Sequence, residues 1–139
     1  MRCVNAAHDP VPGSGTPRPV RILLVEDNDD VRRSTTRILE RLGHAVVVAR
    51  DGVEALAHTM NAEIDLVVTD VLMPRIGGIA LVARLRETMP WLPVVFMSGF
   101  PGSDAEGAIT SDEQTIFLQK PFGHEELRYA VELLTGDTG

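Results

Sequence analysis

Ile-Asp-Leu-Val-Val-Thr-Asp-Val-Leu-Met-Pro-Arg-Ile-Gly-Gly, residues 64–78, is the stretch that decides how the rest of the chain must be arranged. Leu66, Val67 and Val68 form a short apolar run rich in β-branched residues, the pattern of a strand buried on both faces of a parallel sheet. The run stops at Asp70, and Pro74 with Gly77 and Gly78 interrupts any immediate continuation into a helix. A carboxylate therefore stands at the carboxyl end of a buried strand, where open α/β sheets place their ligands. Taken alone, Asp70 only opens a turn. Its neighbours give it more to do.

Working outward, the same design repeats. Arg21–Val25 is an apolar run that ends in Glu26-Asp27-Asn28, after which Asp29 or Asp30 can cap a helix. Val31, Ile38 and Leu42 recur there at helical spacing, Arg32, Arg33, Arg37 and Arg41 take the solvent side, and Gly43 supplies the stop. Ala45–Ala49 reads as strand two. Asp51 and Glu54 form an Asp-x-x-Glu variant of the capping box, opening a helix that reaches about Met60. Beyond the glycines, Ile79, Val82 (or Leu81) and Leu85 predict a third helix closed by Pro90. Val94–Met97 is strand four, entered through Pro93 and ending at Ser98-Gly99-Phe100. Pro101–Glu113 is a poor helix former, with at most two turns expected around Asp104–Ile109. Thr115–Gln119 is strand five, ending at Lys120-Pro121-Phe122. A last helix spans about His124 to Leu134, with Leu127, Val131 and Leu134 inward.

Alternating strands and helices argue for a doubly wound α/β fold, a five-stranded parallel sheet with helices on both faces. Right-handed crossovers favour the order 2-1-3-4-5, which makes strands one and three neighbours and sets Glu26 and Asp27 opposite Asp70.

Composition narrows the classes. A chain of 139 residues with 44% hydrophobic content holds one domain, expected over residues 20–135. Residues 1–19 carry six Pro and Gly in their second half and few large apolar groups, so they read as a disordered lead or a linker from something upstream; residues 136–139 are a tail. The net charge of −7 argues against a nucleic-acid-binding face, and no apolar run approaches membrane-spanning length. Cys3 is the single cysteine, which leaves no internal disulfide and no thiolate metal cluster, and no signal peptide is evident. A cytoplasmic protein is expected. His8, His44, His58 and His124 share no metal-ligand spacing and read as surface or capping residues.

Three carboxylates gathered in one crevice repel one another unless a cation compensates. A few hard oxygen ligands, with water filling the remaining positions, suit Mg²⁺ better than a metal that prefers thiolate or imidazole. Lys120 ends a strand beside the same crevice and is the only Lys among 13 basic residues. A compact ammonium suits a point contact with a carboxylate or phosphoryl oxygen. Pro121 follows it, so the Lys120–Pro121 bond is a candidate cis peptide. Ser98 offers one small hydroxyl at the end of strand four, a donor for an anionic oxygen.

Glu26-Asp27, Asp70 with Met73-Pro74 and Gly78, Ser98-Gly99, and Lys120-Pro121-Phe122 together resemble the receiver domain of bacterial two-component response regulators, over about Arg21 to Leu134. The wording of Asp51-Gly52-Val53-Glu54-Ala55-Leu56 and Phe117-Leu118-Gln119-Lys120-Pro121-Phe122 is most similar to receivers of hybrid sensor kinases. The resemblance implies a flavodoxin-like fold and a phosphoacceptor in a phosphorelay. Asp70 would take a phosphoryl group from the phosphohistidine of a sensor histidine kinase or histidine phosphotransfer protein. Mg²⁺ would sit on Glu26, Asp27, Asp70 and the backbone carbonyl of Leu72. Lys120 would neutralise charge, Ser98 would bond a phosphoryl oxygen, and Phe117 would be the aromatic switch. The positions of Leu72 and Phe100 would tune dephosphorylation. A kinase module upstream in a parent chain is a further expectation, with no nucleic-acid or membrane partner. Two other readings fit less well. A flavodoxin-like nucleotide or flavin binder would need a glycine-rich phosphate loop where Glu26-Asp27 stands. A Mg²⁺-dependent aspartyl-nucleophile phosphohydrolase would need a second acid at position 72, which is Leu.

Overall fold

β-branched and aliphatic runs with no polar interruption suit strands that are covered on both sides, and two such runs, Leu66–Val68 and Val94–Met97, lie inside the sheet. In a computed structural model, which describes residues 20–73, 75–99 and 114–135, Leu66–Asp70 (β3) and Val94–Ser98 (β4) are buried at every position. Arg21–Val25 (β1) lies on the other side of β3, with Ala45–Ala49 (β2) and Thr115–Gln119 (β5) at the two edges. The order is β2-β1-β3-β4-β5 and every pairing is parallel, as the alternation of elements predicts.

Helices cover both faces. Gly52–Thr59 (α2) and Gly78–Thr88 (α3) bury Ala55, Leu81, Val82 and Leu85 against Leu23, Val25, Val67 and Phe96. Asp29–Arg41 (α1) and His124–Thr135 (α4) bury Leu39, Leu127, Ala130 and Val131 against Ile22, Leu24, Val68 and Met97 on the opposite face. Alternate residues of each central strand feed the two cores, as a period of two requires. Among the described residues, no helix is long and apolar enough to cross a membrane. The turns expected at 104–109 lie outside the described residues.

Several local expectations need correcting. Asn28, not Asp29 or Asp30, caps α1, its side chain accepting from the Val31 N–H at 3.0 Å. This frees both aspartates for the first turn, where negative charge favours the helix dipole. The inward face of α1 is centred on Thr35 and Leu39, with Val31 and Leu42 only half-buried. Arg32 is not on the solvent side but folds back towards β1. In the α2 cap, Asp51 accepts from the Glu54 N–H as expected, while Glu54 reaches back to the Arg50 N–H. His44 is buried, and its Nδ1 accepts from the Val20 N–H at 3.1 Å. Gly43 does end α1 in the left-handed region, at φ 97°.

Candidate functional site

The strand ends that the topology brings together carry the polar groups. Glu26 follows β1 directly and is fully buried, an arrangement that a carboxylate tolerates only when its oxygens have partners. Its backbone N–H donates to Ala49 O at 3.0 Å, its Oε2 accepts from the Asn28 N–H at 3.1 Å, and its Oε1 accepts from Lys120 Nζ at 2.8 Å. Asp70 closes β3, nearly buried, and its Oδ2 accepts from the same ammonium at 3.0 Å. Asp27 stands exposed at the mouth. Glu26, Asp27 and Asp70 each bring a carboxylate oxygen within 4.8 Å of the other two.

Lys120 reaches this position because the backbone sets its root. Its N–H donates to the Ser98 carbonyl at 2.6 Å, which locks the end of β5 to the end of β4. The Lys120–Pro121 bond is cis. The ammonium is then shared between two acids from β1 and β3. Burial pushes the Glu26 carboxyl above its ordinary value, with help from the charge of Asp70; the bonds from Lys120 and the Asn28 N–H oppose the rise without cancelling it. Burial would lower the Lys120 ammonium, but bonds to Glu26 and Asp70 outweigh it and hold the group above its usual value. When all are ionised, three acids and one ammonium leave two negative charges uncompensated. A cluster of carboxylate oxygens with that residual charge fits a hard divalent cation.

The remaining sequence-predicted residues are placed by strand register and burial. Ser98 is buried at the end of β4, one step beyond the Asp70–Met97 pairing. Leu72, two residues past Asp70, is 60% exposed. Phe117 pairs opposite Phe96 and packs, half-buried, against the core on the α2–α3 face. Phe100 lies outside the described residues. Two features escaped the sequence reading. Arg32 Nη1 donates to the Glu26 carbonyl at 3.0 Å, which only the Asp29–Arg32 spacing hinted at. The start of α3 is pressed so closely on Asp70 that a Cβ at Gly78 would lie 2.1 Å from the Asp70 carbonyl oxygen.

Known proteins share both sequence and fold with this chain. The family model described as the response regulator receiver domain matches residues 22–132. A sensor kinase, CckA of Brucella abortus, is 38% identical over 113 residues, which are 80% of this chain and 12% of that kinase. The response regulator MprA of a Mycobacterium species is 40% identical over 109 residues, 78% of this chain and 47% of the regulator. The chain thus spans less than half the length of either relative. Among solved structures, the signal receiver domain of an HD domain-containing protein from Pseudomonas fluorescens superposes with a TM-score of 0.79 at 27% identity, covering 86% of this chain and 97% of that one. A match over nearly the whole described sheet, to modules found both inside a kinase and at work in a regulator, places this chain in the response regulator receiver domain family of two-component signalling.

Proposed function

We propose that residues 20–135 form a receiver unit in which Asp70 is the phosphoacceptor. The observation that carries this reading is Lys120 Nζ bonded at once to buried Glu26 and to Asp70, at 2.8 and 3.0 Å. Lys120 engages Oδ2 of Asp70, which leaves Oδ1 as the nucleophile. That oxygen attacks the phosphorus of a phosphohistidine, a P–O bond forms, and the P–N bond breaks with its electron pair returning to the imidazole. The donor is a sensor histidine kinase or a histidine phosphotransfer protein, and a kinase module upstream in a longer parent chain would serve as well. The unit catalyses only its own phosphorylation and dephosphorylation.

Glu26, Asp27, Asp70 and the Leu72 carbonyl would hold Mg²⁺, which supplies positive charge to the phosphoryl oxygens when bound. Lys120 offers the same oxygens a second, fixed positive charge. The Ser98 hydroxyl donates to a phosphoryl oxygen after transfer, and the Phe117 ring follows into the space that Ser98 leaves. Leu72 has no group to orient an attacking water and shields the acyl phosphate instead. Incubation with Mg²⁺ and acetyl phosphate, followed by intact-mass measurement, tests the reading. The wild-type chain should gain one phosphoryl group, and neither Asp70→Asn nor the metal-free wild type should. An unmodified wild type, or a modified Asp70→Asn variant, would overturn it.

A further inference from the structure

Two arginines adjacent in sequence on α1 behave differently. Arg33 is 66% exposed and pairs with Asp30. Arg32 is 15% exposed, and its guanidinium bridges two acceptors: Nη1 donates to the Glu26 carbonyl at 3.0 Å and Nη2 to Asp29 Oδ1 at 2.5 Å. The Glu26 carbonyl belongs to the peptide that joins Glu26 to Asp27. A peptide is planar, so fixing the direction of that carbonyl fixes the plane from which the Asp27 backbone departs. Other bonds hold Glu26 itself, through its N–H on Ala49 and its side chain on Lys120 and the Asn28 N–H. Among the described residues, Arg32 is the side chain that grips the link between the two acids.

We infer that Arg32 is a positioning residue of the acidic site, setting the Glu26–Asp27 peptide so that the exposed Asp27 carboxylate faces Glu26 and Asp70. The inference rests on the metal-binding reading above and deepens it. Electrostatics alone demands the opposite of such a residue. A positive charge beside a cation site repels the cation, and Asp29 neutralises Arg32 only in part. Positioning and charge therefore predict opposite signs for one substitution. Removing Arg32 tightens Mg²⁺ binding if the residue acts by charge and weakens it if the residue acts by orientation. Lys at position 32 keeps the charge but lacks the planar fork that spans both acceptors.

Calorimetric titration of the full chain with Mg²⁺ decides the matter, alongside melting of the metal-free proteins by circular dichroism. Arg32→Ala should weaken binding about tenfold, the scale at which residues that orient metal ligands act. Arg32→Lys should weaken it too, by a smaller factor. A residue that merely supports the fold would lower the melting temperature and leave Mg²⁺ affinity unchanged. Wild-type or tighter binding in Arg32→Ala overturns the inference. Should that variant not fold, wild-type affinity in Arg32→Lys overturns it equally. A wild-type chain that binds no Mg²⁺ brings down the proposed function, and this inference with it; a binding wild type with unaffected variants brings down the inference alone.

Discussion

At Gly78 a single added carbon atom would collide with the backbone that follows Asp70. An added Cβ would meet the Asp70 carbonyl oxygen at 2.1 Å and the Val71 Cα at 3.2 Å, both backbone atoms with no rotamer in which to retreat. The Gly78 N–H also donates to Val71 O at 2.9 Å, so the first turn of α3 is bonded to the loop it would have to push away. Gly78→Ala should therefore cost about 3 kcal/mol, the upper range for overpacking, read as a lowered urea midpoint. Gly99, where a Cβ would meet nothing within 4 Å among the described residues, is the control: Gly99→Ala should change stability by less than about 0.5 kcal/mol. Equal midpoints for Gly78→Ala and wild type would mean that the loop after Asp70 yields.

The elements were legible in the sequence to different depths. The bounds of β1, β2 and β5 were readable to the residue, since each is an apolar run cut off by Gly, Pro or a charged residue. The acids of the candidate site were readable for the same reason: a polar residue that stops a buried run stands at a strand end, and topology gathers the strand ends. Side chains whose partners are backbone carbonyls were not readable. Arg32 looked like any solvent-facing arginine of an amphipathic helix, and Thr35 gave no apolar signal for the core position it fills. Arg86 is a second case. Near the end of α3, its Nε and Nη2 donate to the Leu92 carbonyl at 3.1 and 2.8 Å, and Nη2 also reaches Gln114 O and Thr115 Oγ1, both at 3.1 Å. One guanidinium thus ties the entrance of β4 to the entrance of β5. Arg86→Ala would take this donor from three part-buried acceptors, of which Gln114 O keeps the Val94 N–H at 2.8 Å, and should cost about 2 kcal/mol in urea unfolding. Arg86→Lys should recover less than half of that, because an ammonium cannot repeat the fork. Full recovery in Arg86→Lys would reduce the tie to a matter of charge.

Across the whole molecule, the buried acid after β1 shapes how stability follows pH. The Glu26 carboxyl is raised above its ordinary 4.5 in the folded state, chiefly by burial, so the native chain binds its proton more tightly than the unfolded chain does. That contribution is fully present below pH 4.5 and is lost as pH rises through the higher folded value. Exposed Asp29 and Glu125 act in the opposite sense: their lowered values make their contributions fade as pH falls. In EDTA, unfolding free energy should decline from pH 4.5 towards neutrality, and Glu26→Gln should flatten that decline. Urea titrations across the range check this, and an undiminished slope in Glu26→Gln would assign the decline to other groups. The same acid sits 94 positions before the lysine that holds it, and Asp70 sits 50 before it. A chain emerging from the ribosome has all three acids long before it has Lys120, and a copy clipped ahead of β5 never acquires it. On the proposed reading, an unfinished or damaged copy stays mute, and competence to answer a kinase certifies that the last strand has been made and docked.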